Sequence, residues 1–295
     1  MDDKKKIFLF ITSEKHPSPF DLFVMYDAGA DAVASYGSVL PEEVQRLIVD
    51  AMFSRGPKGI KNTAIFVGGN TVKEGEALLA RVKETLFPPF EISVAFDPRG
   101  ACTTSASIVA LIKKSLKEKF HLDLAGLSVS VLAGAGNVGS MTSFLLASDR
   151  ARVNIIDIDL NRAYEVAQSI NKKMGEERIR VFKPEELYEA CAESSVVVAT
   201  GPPGVRLMDS TVLNRLSECK LVVDINPVPP HGIEGIKPDH KFEEIIPGVY
   251  GIGSKMIGAL KLRVERAFLR KVLEAPKGVF GCVEALKIAD NLASF

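Results

Sequence analysis

Short, mostly apolar runs alternate with stretches of helical periodicity along almost the whole chain. Ile7–Ile11, Ala64–Val67, Ile92–Phe96, Ser128–Ala133, Val153–Ile156, Val196–Thr200 and Leu221–Ile225 read as strands. Pro41–Phe53, Lys73–Leu86, Thr103–Phe120, Val138–Ser148, Leu160–Met174 and Pro184–Ala192 read as the helices between them. Two more helices close the chain, at about Lys255–Leu273 and about Val279–Asn291. Strand and helix in strict alternation predict parallel sheets with crossover helices, an α/β fold. The passage Asn226-Pro227-Val228-Pro229-Pro230-His231-Gly232 breaks the rhythm, because proline removes a backbone donor and fixes φ. It reads as a loop at the carboxyl end of a strand, the edge where open α/β sheets receive ligands.

A length of 295 residues predicts two domains. The mixed segment Lys119–Gly126 is the linker, which puts an α/β domain at 1–122 and a second at 123–275, with the last helix, 276–295, packing back onto the first. Lys plus Arg and Asp plus Glu both number 37, so no global charge draws the chain to nucleic acid or an anionic membrane. The opening apolar run, Ile7–Ile11, is too short for a signal segment or a membrane span. Cys102, Cys191, Cys219 and Cys282 lie far apart and form no CxxC pair, which suggests neither a metal site nor a disulfide framework and fits a reducing cytoplasm.

Gly134-Ala135-Gly136-Asn137-Val138-Gly139 is a full GxGxxG between a strand-like run and a helical one, the context that turns a common string into a dinucleotide fingerprint. The first glycine permits the tight turn, the second admits a pyrophosphate to the backbone, and the third packs helix on strand. The helix N-terminus then holds the anion. Asp157 ends the next strand, eighteen positions after Gly139, where a carboxylate accepts the ribose hydroxyls. Asp157-Ile158-Asp159 favours NAD, since a carboxylate repels a 2′-phosphate; Arg162 reads either as a phosphate partner for NADP or as a solvated helix residue. Asp159 reads as a helix N-cap. Thr200 and Gly201, ending a later strand, and Asn226 complete the expected cofactor wall. The second domain is therefore a Rossmann-type, doubly wound parallel-sheet dinucleotide domain.

The first half carries polar and aromatic residues at expected strand ends: Phe20-Asp21, Tyr26-Asp27, Gly68-Gly69-Asn70, and Asp97-Pro98-Arg99-Gly100 followed by Thr103-Thr104. Each has a plain structural reading as a strand end, a cap or a turn. As an ordered set with Thr63–Gly69, Val131–Gly134, Val138-Gly139, Pro229–Ile233 and Gly258–Leu262, however, they resemble the NAD(P)-dependent methylene-tetrahydromethanopterin dehydrogenases of one-carbon metabolism. The resemblance runs over nearly the whole chain. It departs after the second strand of the dinucleotide domain, where NADP-preferring members are expected to carry basic residues.

The resemblance implies oxidation of a methylene bridge on a reduced pterin to a methenyl bridge, with hydride passing directly to the nicotinamide ring. That chemistry requires no general base, since the resulting cation is resonance-stabilised between two nitrogens, and no metal. Asp21, Asp27 and Asp97 are the implied carboxylates near the developing charge, Phe20 and Tyr26 the implied packing residues, and Thr103, Thr104 and Lys261 further substrate contacts; Asp21, Asp97 and Lys261 carry the positioning. It also implies a homo-oligomer. A methylene-tetrahydrofolate dehydrogenase is a second reading, since the two pterins share the reacting centre. Dehydrogenases of amino acids or shikimate-like substrates would need a positioned acid or base. A non-catalytic NAD-sensing module is the reading from another class. Of the four histidines only His231 falls in a site loop, and it reads as loop chemistry.

Overall fold

The structure, a computed structural model, describes residues 4–294; the outermost positions of the expected domains, 1–3 and 295, lie outside the described residues. The strands are β1 (Ile7–Ile11), β2 (Ala32–Tyr36), β3 (Thr63–Val67), β4 (Ser93–Phe96), β5 (Ser128–Leu132), β6 (Arg152–Ile156), β7 (Ile179–Phe182), β8 (Val196–Ala199), β9 (Leu221–Asp224), β10 (Lys241–Ile246), β11 (Val249–Ile252) and β12 (Gly278–Phe280). The α-helices are α1 (Pro19–Asp27), α2 (Pro41–Gly59), α3 (Val72–Thr85), α4 (Ala101–Ser115), α5 (Asn137–Ser148), α6 (Leu160–Met174), α7 (Leu187–Cys191), α8 (Ser210–Leu213), α9 (Ser254–Glu274) and α10 (Cys282–Leu292). Two compact units result. One holds the chain up to Thr103 with Leu262–Ile288, the other Thr104–Lys261 with the residues from Ala289 onward.

The first unit is built on a parallel sheet in the order β12-β4-β3-β1-β2. Every position of β3 and β4 is buried, as it must be for an inner parallel strand covered on both faces, and this is why those strands read as unbroken apolar runs. Phe10 and Phe66 meet edge to face at 4.8 Å between ring centroids in the core of the unit. The second unit carries a seven-stranded sheet, β10-β11-β9-β8-β5-β6-β7, parallel except for the β10–β11 pair. Its inner strands β5, β8 and β9 are again buried throughout. Strand order reverses between β5 and β8. The α/β doubly wound class is as the sequence predicts.

Several elements differ from expectation. Phe20, Asp21, Tyr26 and Asp27 lie on helix α1, not at strand ends; Pro19 opens that helix and Ser18 caps it, its Oγ accepting the Asp21 N–H at 3.3 Å. The expected helix Thr103–Phe120 is α4 followed by a wider π-type turn, Leu116–Phe120, ending at a left-handed His121. The compact units divide within α4 at Thr103/Thr104, ahead of the expected linker. From there α4 is tied to α5: Ser105 Oγ donates to Val138 O at 2.9 Å and Thr142 Oγ1 to Ser105 Oγ at 3.0 Å. The last expected helix begins instead as strand β12, which pairs with β4 before α10 starts.

The cysteines also correct the sequence reading. Cys102 and Cys282, 180 residues apart, form a disulfide within the first unit, with Cα atoms 4.4 Å apart. Spacing along the chain cannot reveal a pair that only the fold brings together. Cys191 and Cys219 are buried thiols; burial pushes them up to about 11 and about 12 respectively. Among the described residues no helix is long and apolar enough to cross a membrane.

Candidate active site

The glycine turn lies at the carboxyl end of β5, beside the reversal of strand order, where open α/β sheets take ligands. The left-handed residue of the turn is Ala133, at φ 55°, one position ahead of the motif, so the tight turn is not made by the first glycine as the motif suggests. Gly134 is required for clearance: a Cβ there would stand 2.9 Å from Val131 O and 3.0 Å from Ile155 Cγ2. At Gly139 a Cβ would meet Ala133 O and Gly134 Cα at 2.7 Å. Gly136 is different, since a Cβ there would meet only Ala133 O, at an ordinary 3.5 Å. The protein leaves space in front of Gly136, and α5 begins one residue later, at Asn137. That cradle fits a diphosphate.

Asp157 follows β6 and is bound to the turn. Its Oδ2 accepts the Ala135 N–H at 2.9 Å and its Oδ1 the Asp159 N–H at 3.0 Å. Asp159 caps α6, accepting the Arg162 N–H at 3.1 Å. Ile158 and the Arg162 side chain are exposed beside it. Across the strand-order reversal, the Thr200 hydroxyl donates to Leu132 O at 2.9 Å, so β8 and β5 are stitched together under the turn. Gly201 packs on Leu207, from which a Cβ would stand 2.7 Å. Asn226 is buried, and its side chain organises its own loop: Oδ1 accepts from Val228 N at 2.9 Å and Gly204 N at 3.3 Å, and Nδ2 donates to Pro230 O at 3.2 Å.

Sequence reasoning missed Asp224, the last residue of β9. It is 1% exposed and clasps both ends of the proline-rich loop, accepting the N–H groups of Asn226 at 2.9 Å and Ile233 at 3.0 Å. Burial raises its carboxyl above the usual carboxylate range, against the pull of those N–H groups and of nearby His231. Gly232 has no room for a side chain, since a Cβ would lie 3.0 Å from Asp224 Oδ1 and from Ala199 Cβ. A strand-terminal Asp in Val223-Asp224-Ile225-Asn226 was the available signal.

In the first unit, the starts of α1, α3 and α4 follow the carboxyl ends of β1, β3 and β4. Asp97 and Thr103 are brought together: Asp97 Oδ2 accepts the Thr103 hydroxyl at 2.6 Å, and Oδ1 accepts the Cys102 N–H at 2.7 Å. Asp97 is 1% exposed, so its carboxylate serves the start of α4. Asp21 is buried on α1, whereas Phe20, Tyr26 and Asp27 are exposed on it. Thr104 is half-buried, one residue beyond Thr103. Lys261 is half-buried on α9 in the second unit.

Residues 19–99 match the family described as methylene-tetrahydromethanopterin dehydrogenase, N-terminal. Two relatives from Methylorubrum extorquens extend the likeness to the whole chain. The bifunctional protein MdtA is 35% identical over 295 residues, 98% of this chain and 99% of that protein. An NAD(P)-dependent methylenetetrahydromethanopterin dehydrogenase is 30% identical over 296 residues, with the same shares covered. Among solved structures, the shikimate 5-dehydrogenase from Listeria monocytogenes, in complex with shikimate and NAD, superposes with a TM-score of 0.52 at 16% identity, covering 92% of this chain and 91% of its own. The quinate dehydrogenase from Corynebacterium glutamicum, in complex with NAD, gives 0.51 at 13% identity, covering 92% and 94%. At such identities these two speak to the fold alone. At 30–35% identity over nearly full length, the relatives place the chain in the family of NAD(P)-dependent methylenetetrahydromethanopterin dehydrogenases.

Proposed function

We propose that the chain oxidises methylene-tetrahydromethanopterin to methenyl-tetrahydromethanopterin, with NAD as its preferred acceptor and NADP as the weaker one. The observation that carries this is the full-length kinship with an NAD(P)-dependent enzyme of that name. The glycine turn, with Asp157 bonded to Ala135 N, supports the choice of acceptor. When bound, the dinucleotide supplies the hydride-accepting ring. The chain's own work is to bind, orient and exclude water.

Gly136 leaves its backbone open to a diphosphate, and the first turn of α5 offers it N–H groups. Asp157 offers a carboxylate to two vicinal ribose hydroxyls but meets a 2′-phosphate with like charge. Thr200 and the loop clasped by Asp224 and Asn226 set the far wall. No proton has to leave for the reaction to proceed, so no acid or base is assigned, and positioning falls to the residues around Asp21, Asp97 and Lys261. The reading includes a homo-oligomer at work in the cytoplasm. The Cys102–Cys282 bridge withdraws the cysteine argument for that compartment, since disulfides form and persist mainly in oxidising surroundings.

The test is absorbance at the reduced-nicotinamide band with methylene-tetrahydromethanopterin, run separately with NAD and NADP and repeated with methylene-tetrahydrofolate. Turnover with the first pterin, faster with NAD, is expected. Turnover with the folate alone would move the substrate assignment, and NAD binding without turnover of either would favour a sensing module.

A further inference from the structure

The five-stranded sheet also reverses its strand order, between β1 and β3, so the first unit has a carboxyl edge of the kind that receives ligands. That edge carries Thr12, Ser13 and Glu14 after β1, Asn70 after β3 and Arg99 after β4. Asp97 is buried there beneath the start of α4. Arg99 has φ 50° and ψ 35°, a left-handed conformation that side chains other than glycine's seldom adopt and that structures tend to hold where function needs it. It is kept there with its guanidinium turned to the edge: Nη1 donates to Asn70 Oδ1 at 3.2 Å and lies 3.5 Å from Glu14 Oε1, while the side chain stays 54% exposed. Glu14 is 14% exposed and has the Thr12 hydroxyl at 3.4 Å. Contacts of 3.4 and 3.5 Å are weak for a carboxylate and a guanidinium, each built for several short ones.

A pterin ring carries, along one edge, a carbonyl, a ring N–H and an exocyclic amino group. Its two parallel donors suit a carboxylate, and the carbonyl beside them suits a guanidinium. We infer that Glu14 and Arg99 are the pair that recognises this edge of the substrate, Glu14 accepting from the ring N–H and the amino group and Arg99 donating to the carbonyl. The inference rests on the reading of the chain as a methylene-pterin dehydrogenase.

The test uses the full-length Arg99→Gly and Glu14→Gln variants, with thermal unfolding, NAD binding by calorimetry and steady-state kinetics on methylene-tetrahydromethanopterin. Glycine suits the left-handed conformation, so Arg99→Gly is expected to melt no lower than the native chain and to bind NAD equally well. Its KM for the pterin is expected to rise about tenfold or more. Glu14→Gln should raise KM likewise and lose the native discrimination against a substrate analogue that lacks the amino group, so that the two losses do not add. A KM for Arg99→Gly within about twofold of native, well short of a charged hydrogen bond, or additive effects of Glu14→Gln and the missing amino group, would leave the pair as scaffold and overturn the inference. A native chain that binds NAD but turns over no methylene-pterin would overturn the reading of the reaction, and the inference with it.

Discussion

Gly136 and Gly139 look alike in the motif but do different jobs, and substitution should separate them. An Ala at Gly139 would drive its Cβ to 2.7 Å from backbone atoms of the preceding turn, which cannot yield as a flexible side chain can. Gly139→Ala is expected to destabilise the protein by about 1–3 kcal/mol, read from urea unfolding. Gly136→Ala meets only an ordinary contact, so its fold should lose no more than about 1 kcal/mol, the scale of a changed helix cap. Its NAD affinity, by calorimetry, should nonetheless fall about tenfold or more, because the methyl occupies the approach to the backbone. Equal NAD affinity in Gly136→Ala and the native chain would remove the diphosphate from this turn. The chemistry legible here was local: glycines, Asp157 and the Asp159 cap stand at fixed short offsets in the sequence. Ala133, Glu14 and Arg99 were not legible, since the sign of φ and the pairing of Arg99 with Glu14 depend on chain brought from elsewhere.

Most inner strands were legible because burial on both faces leaves continuous apolar runs; β2, β7, β10, β12 and the short inner strand β11, which contains Gly251, were not. β2 is only partly buried at an edge, Arg180 interrupts β7, β10 is rich in charge, and β12 has three residues. The disulfide joins the first turn of α4 to the first residue of α10, and the neighbouring Asp97 holds the Cys102 N–H. A thiol count tests that joint. The folded chain should react slowly with a thiol reagent at pH 8, since burial holds Cys191 and Cys219 protonated there, at about 11 and about 12. Denatured without reductant it should show the two free cysteines, and all four only after reduction. Four thiols on denaturation alone would rule the bridge out. Cys282→Ala should cost about 2–4 kcal/mol, as for a bridge closing a long loop.

The chain visits the first unit twice, leaving it at Thr103 and returning at Leu262. The return supplies β12 to the edge of the sheet, where Gly278, Val279 and Phe280 register with Ser93, Val94 and Ala95. A chain ended after Ala275 lacks that strand and α10, so β4, buried at every position in the native sheet, keeps β3 on one side but becomes an unpaired edge on the other. Such a chain is expected to bind a hydrophobic dye and to aggregate on warming. A chain ended after Leu292 keeps both elements and should behave as the native one does; identical melting of the shorter chain and the native protein would show that β12 is dispensable.

That late strand has a consequence for biosynthesis. Emerging from the ribosome, the amino-terminal sheet must wait for β12, at residues 278–280, to be read before it is closed. Throughout that wait an apolar ribbon lies open to any neighbouring nascent chain. Slow translation or crowded polysomes would prolong the hazard, so the yield of active enzyme in a cell should be governed by chaperone supply as much as by the steadiness of the finished fold.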